Sequence, residues 1–249
     1  MTPLARLPSA MSSLPRDLAE RLWAQSTIVN ARTGQTIVAL GAVSSQVYVV
    51  LDGRAQATLF SLGGREVILR DLVPGDIFGE LAAIDEGPRS ASVVALSDCA
   101  LASLSAQAFR AAISELPAGA LWMARRLTAQ IRDLTEKVFE LNALRVRSRL
   151  HCELLRLCGT ASREGETALI APSPTHADLA ARIGTHREAV TRELRFLVDQ
   201  KIVSQDRRRM TILDVPALAR LVRIATGEID ADLLQRAATD RAASRASDP

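Results

Sequence analysis

The residues between Gly79 and Ser90 combine the groups needed to hold a sugar phosphate. Pro74-Gly75 opens a turn, and Gly79, lacking a Cβ, lets backbone N–H groups converge on an anion. Glu80 offers a carboxylate acceptor, Arg89 a planar donor fork suited to two phosphate oxygens, and Ser90 a hydroxyl. Together they can grip a ribose hydroxyl and a phosphate. The plainer reading of the same residues is an ordinary ion pair between Glu80 and Arg89 on a turn.

A second group with chemistry lies near the C-terminal end. Thr175 to Ile183, Gly184 and Thr185 to Val198 read as a helix, a tight turn and a second helix, with Thr185-His186-Arg187-Glu188 as the capping box that starts the second. Val190, Leu194 and Leu197 form its buried stripe, which leaves Arg187, Glu188, Thr191, Arg192 and Arg195 near its N-terminal or exposed face. Arg187 and Arg192 have the donor geometry for guanine O6 and N7, and Glu188 can accept from cytosine N4. After this helix, Lys201 to Ser204 and Met210 to Leu213 flank Arg207, Arg208 and Arg209, a hairpin with a basic tip for phosphates. Taken alone, such a helix is as readily a solvated charged face.

The elements that must position these groups follow from composition and period. With 249 residues, 48% of them hydrophobic and 24% charged, the chain can bury one large core or two ordinary ones. A net charge of only +3 leaves nucleic-acid affinity to local patches. No apolar run reaches the roughly 20 residues of a spanning helix, and residues 1 to 14 lack the apolar stretch of a secretion signal, so the expected setting is cytoplasmic with no membrane partner. The three cysteines, Cys99, Cys152 and Cys158, form neither a disulfide framework nor a metal-ligand set. No metal site, activated nucleophile or catalytic set is expected, so the chain reads as a non-enzyme.

Residues 1 to 12 read as a loose arm, and Pro15 to Ala24 as a short helix. From Thr27 to Leu104, β-rich runs such as Val47 to Leu51 and Glu66 to Arg70 alternate with glycines, the pattern of an antiparallel roll or barrel. From Ala120 to Leu157 there is neither Gly nor Pro. Ala120, Ala124, Leu127, Ile131, Leu134, Val138 and Leu141 recur at alternating spacings of four and three, a coiled-coil seam that implies a homodimer through Leu127, Ile131, Leu134, Val138 and Leu141. A helix packed on its own roll would show a similar stripe. Past Asn142 a hinge is expected, then a helix from Ser148 to Leu157, a polar loop from Gly159 to Gly165, and a short helix from Pro216 to Ala225. After Gly227 the expected tail is frayed.

Phe78-Gly79-Glu80-Leu81-Ala82 followed by Pro88-Arg89-Ser90-Ala91-Ser92 resembles the phosphate-binding cassette of cyclic-nucleotide-binding domains, and the whole chain resembles the CRP/FNR family of bacterial transcription regulators. The resemblance implies an α+β fold in four parts: an N-terminal arm and β-roll over 1–116, a long dimerisation helix over 117–144, a winged helix-turn-helix over 145–225 and a tail over 226–249. It implies that Glu80 binds the ribose 2′-hydroxyl, that Arg89 and Ser90 bind the cyclic phosphate, and that Gly79 and Leu81 line the cradle. Leu134 to Val138 matches the segment that reaches the base, where Thr135 offers a hydroxyl; Leu134 stands where the family's cyclic-AMP-binding members carry threonine. Cyclic AMP and cyclic GMP both remain open as allosteric effectors, with Thr135 and the recognition helix favouring cyclic AMP. The absence of a sensory-domain cysteine cluster and of histidines before His151 speaks against iron-sulfur and haem sensing. The implied partners are a second copy of the chain, double-stranded DNA with palindromic TGTGA-like half-sites, and RNA polymerase. A regulator that binds DNA without nucleotide, or is inhibited by it, is the alternative.

Overall fold

A computed structural model describes residues 7–159, 161–206 and 209–227. The chain divides into two compact units, Met1–Leu134 and Thr135–Pro249.

In the first unit α1 (Arg16–Ala24) precedes β1 (Thr27–Ala31), β2 (Thr36–Val38), β3 (Val47–Asp52), β4 (Ala55–Phe60), β5 (Glu66–Leu72), β6 (Ile77–Phe78), α2 (Glu80–Asp85), β7 (Ser92–Ala95), β8 (Cys99–Leu104) and α3 (Ala106–Glu115). The long helix α4 (Pro117–Ala143) follows and runs into the second unit. The strands form two antiparallel sheets, ordered β1-β8-β3-β6 and β2-β7-β4-β5. Alternation of side chains along a strand decides what each residue meets. Val47 and Val49 of β3, Ile77 of β6 and Leu104 of β8 pack under the helices with Leu18, Leu22 and Phe109. Val50, Phe78 and Leu101, one residue out of phase, pack between the sheets with Val38, Leu72 and Val93. The first sheet is therefore apolar on both faces, and this is why Val47 to Leu51 reads as a continuous apolar run.

Two sequence expectations need correction here. The N-terminal arm is not loose throughout: Ser9–Ser13 form a 3₁₀ turn, and Met11 is fully buried beneath α1. The Ala106–Glu115 helix, absent from the sequence reading, is capped by Ser105, whose side chain accepts from the Ala108 N–H.

The second unit contains the end of α4, then α5 (Val146–Cys158), β9 (Ser162–Glu164), β10 (Thr167–Ile170), α6 (His176–Ile183), α7 (Arg187–Asp199), β11 (Val203–Gln205), β12 (Met210–Ile212) and α8 (Val215–Thr226). Its sheet is antiparallel in the order β11-β12-β10-β9. The segment read as a polar loop after Gly159 includes strand β9, because Gly165 supplies the positive φ that turns it onto β10. One core gathers Leu150, Leu154, Leu179, Val190, Leu194, Met210, Ile212 and Leu218. Cys152 and Cys158 are buried small side chains, and burial pushes the Cys152 thiol up to about 11. The helical stretch after Ala120 breaks between Ala143 and Val146, where Arg145 is extended. The tail after Gly227 lies outside the described residues.

Glu153 on α5 is nearly fully buried and gathers the charges of this unit. It pairs with Arg156, with Arg182 of α6 at 3.5 Å and with Lys137 of α4 at 3.3 Å. Lys137 also donates to the Arg182 carbonyl at 3.2 Å, and Arg156 reaches Glu140 of α4. Burial opposes the charge on Arg156, but Glu153 and Glu140 outweigh it and hold its pKa above the ordinary value. The end of α4 is thereby fastened to α5 and α6.

At the β3–β4 turn Gly53 has φ +84°, and a Cβ there would lie 2.2 Å from the Asp98 carbonyl oxygen and 2.9 Å from the Cys99 Cα. Gly53→Ala is expected to lower stability by at least about 2 kcal/mol, through backbone strain and overpacking against main chain. Urea denaturation checks this as a lower midpoint at unchanged slope.

Candidate ligand-binding cassette and recognition helix

Gly79 caps the start of α2 with φ +83°. A Cβ on it would stand 2.5 Å from Arg89 Nη1 and 2.7 Å from the Gln46 carbonyl oxygen, so glycine is needed for both conformation and space. Arg89 comes from the loop after α2, and its side chain is 3% exposed. Its Nε donates to Ser44 Oγ at 2.9 Å, Nη1 to the Gly79 carbonyl at 3.0 Å and Nη2 to the Gln46 carbonyl at 2.7 Å. The Arg89 main chain is fixed as well, its N–H donating to Ala42 O and its carbonyl accepting from the Gly41 N–H.

All three side-chain acceptors are neutral. Among the described residues Arg89 makes no ion pair, so the turn-type pairing with Glu80 does not form. Burial lowers the Arg89 pKa, and Tyr48 and Glu80 oppose that shift without cancelling it. A guanidinium has more N–H groups than these three acceptors use, and a buried cation lacking a paired carboxylate favours an incoming anion.

Glu80 opens α2, is 3% exposed, and accepts from Gln130 Nε2 of α4 at 3.2 Å. The helix therefore reaches the carboxylate directly. Leu81 and Ser90 are exposed beside these groups, and Thr135 is exposed on the part of α4 that belongs to the second unit. Ser44, Gln46 and Gln130 were missed by the sequence reading. Gln46 acts through its carbonyl, which carries no side-chain signal, and Gln130 meets a partner 50 positions away.

On α7, Arg187, Glu188, Arg192 and Arg195 are exposed and line one open groove with Thr191, Phe196 and Asp199. The opposite face buries Val190, Leu194 and Leu197. The helix starts at Arg187 with His186 as its N-cap and no side-chain cap bond, so the expected Thr185 box is not formed. A capping box does occur one helix earlier, between Thr175 and Asp178 of α6. The turn residue Gly184 has φ +65°, as the tight turn requires. Thr191 is half-buried: its hydroxyl donates to the Arg187 carbonyl at 2.9 Å and lies 2.8 Å from His176 Nδ1. In the hairpin β11–β12, Arg209 is exposed and its N–H donates to Asp206 Oδ1, while Arg207 and Arg208 lie outside the described residues.

The seam residues of α4 separate into two kinds. Leu127 is half-buried against the core under the helices of the first unit. Ile131, Leu134, Val138 and Leu141 remain 63%, 58%, 58% and 48% exposed.

Two family models match the chain: a cyclic nucleotide-binding domain over residues 28–115 and a Crp-like helix-turn-helix domain over residues 148–221. The chain is 35% identical over 170 residues to the cyclic AMP receptor protein of Thermus thermophilus, covering 68% of this chain and 76% of that protein. It is 26% identical over 217 residues to the CRP-like cAMP-activated global transcriptional regulator of Mycobacterium tuberculosis, covering 87% and 93%. Its fold matches FixK2 from Bradyrhizobium japonicum with a TM-score of 0.69 at 20% identity, over 79% of this chain and 96% of that one. The chain thus carries a cyclic nucleotide-binding domain followed by a Crp-like helix-turn-helix domain, and it belongs to the CRP/FNR family of DNA-binding transcription regulators.

Proposed function

We propose that this chain is a homodimeric transcription regulator without catalytic activity, gated by a purine cyclic nucleotide and acting in the cytoplasm. The observation that carries the reading is Arg89, a buried cation whose side-chain partners are all neutral. The cyclic phosphate binds its remaining N–H groups and Ser90, the ribose 2′-hydroxyl binds Glu80, and Gly79 and Leu81 border the cradle. Thr135 serves the base. Cyclic AMP is the favoured effector, in keeping with the relatives named for it.

The exposed apolar stripe Ile131, Leu134, Val138 and Leu141 on α4 supports pairing with a second copy, since an exposed apolar row of this kind on a long helix marks an interface. Pairing sets two α7 helices on DNA about one turn, ~34 Å, apart. Arg187, Glu188 and Arg192 then read a TGTGA-like half-site, with Arg195 and the β11–β12 hairpin, Arg207 to Arg209, on phosphates. Thr191 takes a different part, because its hydroxyl is committed within the unit. RNA polymerase is the downstream partner. Nucleotide shifts the equilibrium between arrangements only by its differential affinity for them, and a tenfold activation needs about 1.4 kcal/mol.

Calorimetric titration of the dimer with cyclic AMP and cyclic GMP, with and without a palindromic TGTGA duplex, tests the reading. Linkage requires that the nucleotide that tightens DNA binding is itself bound more tightly, by the same factor, when DNA is present. Arg89→Ala is expected to remove about 2–5 kcal/mol of nucleotide affinity and the activation with it. DNA binding that ignores nucleotide in the wild type, or is weakened by it, selects instead the regulator that works without nucleotide or is inhibited by it.

Ile131→Glu combined with Val138→Glu is expected to turn the dimer into a monomer in sedimentation velocity and to abolish tight operator binding. Arg187→Ala is expected to cost about 1–3 kcal/mol on the cognate duplex and to relax preference at one base pair. Competition binding against single-base variants measures it; uniform weakening on all sequences assigns Arg187 to phosphate instead.

A further inference from the structure

Beside the cassette, the Ile77 carbonyl of β6 accepts from two guanidinium groups at once, Arg70 Nη2 at 2.9 Å and Arg126 Nη2 at 2.7 Å. Two positive charges thus converge on one neutral oxygen. Two nearby acids offset part of the repulsion. Asp76 Oδ1 is 3.9 Å from Arg126 Nη2, too far for a hydrogen bond, and its other oxygen accepts from the Val73 N–H. Glu80 takes the Gln130 amide. Arg126 Nε is buried with no hydrogen-bond partner among the described residues. Burial lowers the Arg126 pKa first and repulsion from Arg70 lowers it further, against partial relief from Glu80 and Asp76.

The position of Arg126 is fixed despite this. Its guanidinium lies 5.8 Å from the centre of the Trp122 ring, within cation–π range. Next to it opens a hollow of about 360 Å³ lined by Arg70, Trp122, Arg125, Arg126, Gln130 and Asp133. The volume lies in the range of small-ligand sites, about 300–1,000 Å³. Gln130 joins this hollow to the Glu80 carboxylate of the cassette. Fixed cations that repel one another, an unpartnered buried N–H and adjoining space together favour an anion with several acceptor oxygens.

We propose that this hollow is a second anion subsite, in which a phosphate group binds Arg70 and Arg126 with Arg125 at the rim. The phosphate comes either from solution, alongside the cassette's nucleotide, or from a second phosphate on the effector itself. The subsite does not depend on Arg89, so it can stand even where the gating proposal fails.

The test uses the full chain in phosphate-free buffer at matched chloride, titrated with inorganic phosphate and followed by calorimetry and thermal melting. Phosphate is expected to bind and raise the melting temperature. Both effects should weaken at least tenfold in Arg126→Gln and Arg70→Gln and survive in Arg89→Ala. Arg125→Gln, at an exposed rim position, gives a smaller loss in the same direction and guards against a folding defect in the other variants.

The source follows from two further titrations. Cyclic mononucleotide and phosphate binding together assign the subsite to free phosphate. A cyclic dinucleotide that displaces phosphate and binds at least tenfold more tightly than the mononucleotide, with the gain lost in Arg126→Gln, assigns it to the effector. No phosphate binding together with no dinucleotide advantage overturns the proposal, as does phosphate binding abolished by Arg89→Ala and untouched by Arg126→Gln.

Discussion

A cation buried among neutral oxygens is the constraint from which the first unit is built. Taking an ion out of water costs several kcal/mol even after relaxation, and a paired carboxylate is the usual compensation. Arg89 has none, and two carbonyls and a hydroxyl stand in its place. Each acceptor demands a local structure. The Gly79 carbonyl is available only because the chain turns through a positive φ before α2, and the Gln46 carbonyl only because the chain entering β3 stays close. The loop near Gly41 is bound to the Arg89 backbone in both directions. Removing the guanidinium would strand these acceptors, so the arginine organises the cradle as well as being suited to an anion.

How much of this could be read from the sequence depended on whether a feature was local. Gly79, Glu80 and Arg89 were legible because their types and spacing lie within one short stretch, and the strand from Val47 and the helix from Arg187 because their apolar periods are strong. What escaped was contributed by main chain or across long separations: the Gln46 carbonyl, the Gln130 amide on Glu80, and the pair Arg70 and Arg126 on Ile77. The capping box illustrates a different failure. Thr185-x-x-Glu188 and Thr175-x-x-Asp178 are both plausible cap sequences, but the tight turn at Gly184 draws the Thr185 N–H to the Ala180 carbonyl and moves the cap position of α7 to His186. Tertiary geometry overrode a pattern that was locally sound.

Thr191 shows why exposure on a helical wheel does not assign a role. Its position one turn into α7 gives it the same apparent standing as Arg187 and Glu188. In the structure its hydroxyl is used inside the unit, donating back to Arg187 and lying against His176, which in turn is 3.3 Å from Gln205 of β11. The three residues join the start of α6, the middle of α7 and the first strand of the hairpin. Their contribution is to fix the geometry from which the neighbouring exposed side chains project.

The two units meet covalently in α4, and the charges on that helix are divided between them. Gln130 donates to Glu80 in the first unit; Lys137, seven residues and about two turns later, binds Glu153 and the Arg182 carbonyl in the second. Glu153 is buried, and removing Lys137 or Arg156 would withdraw one of the three cations that compensate it, Arg182 being the third. An ionic attachment of this kind holds the last turns of α4 to α5 and α6 as one piece.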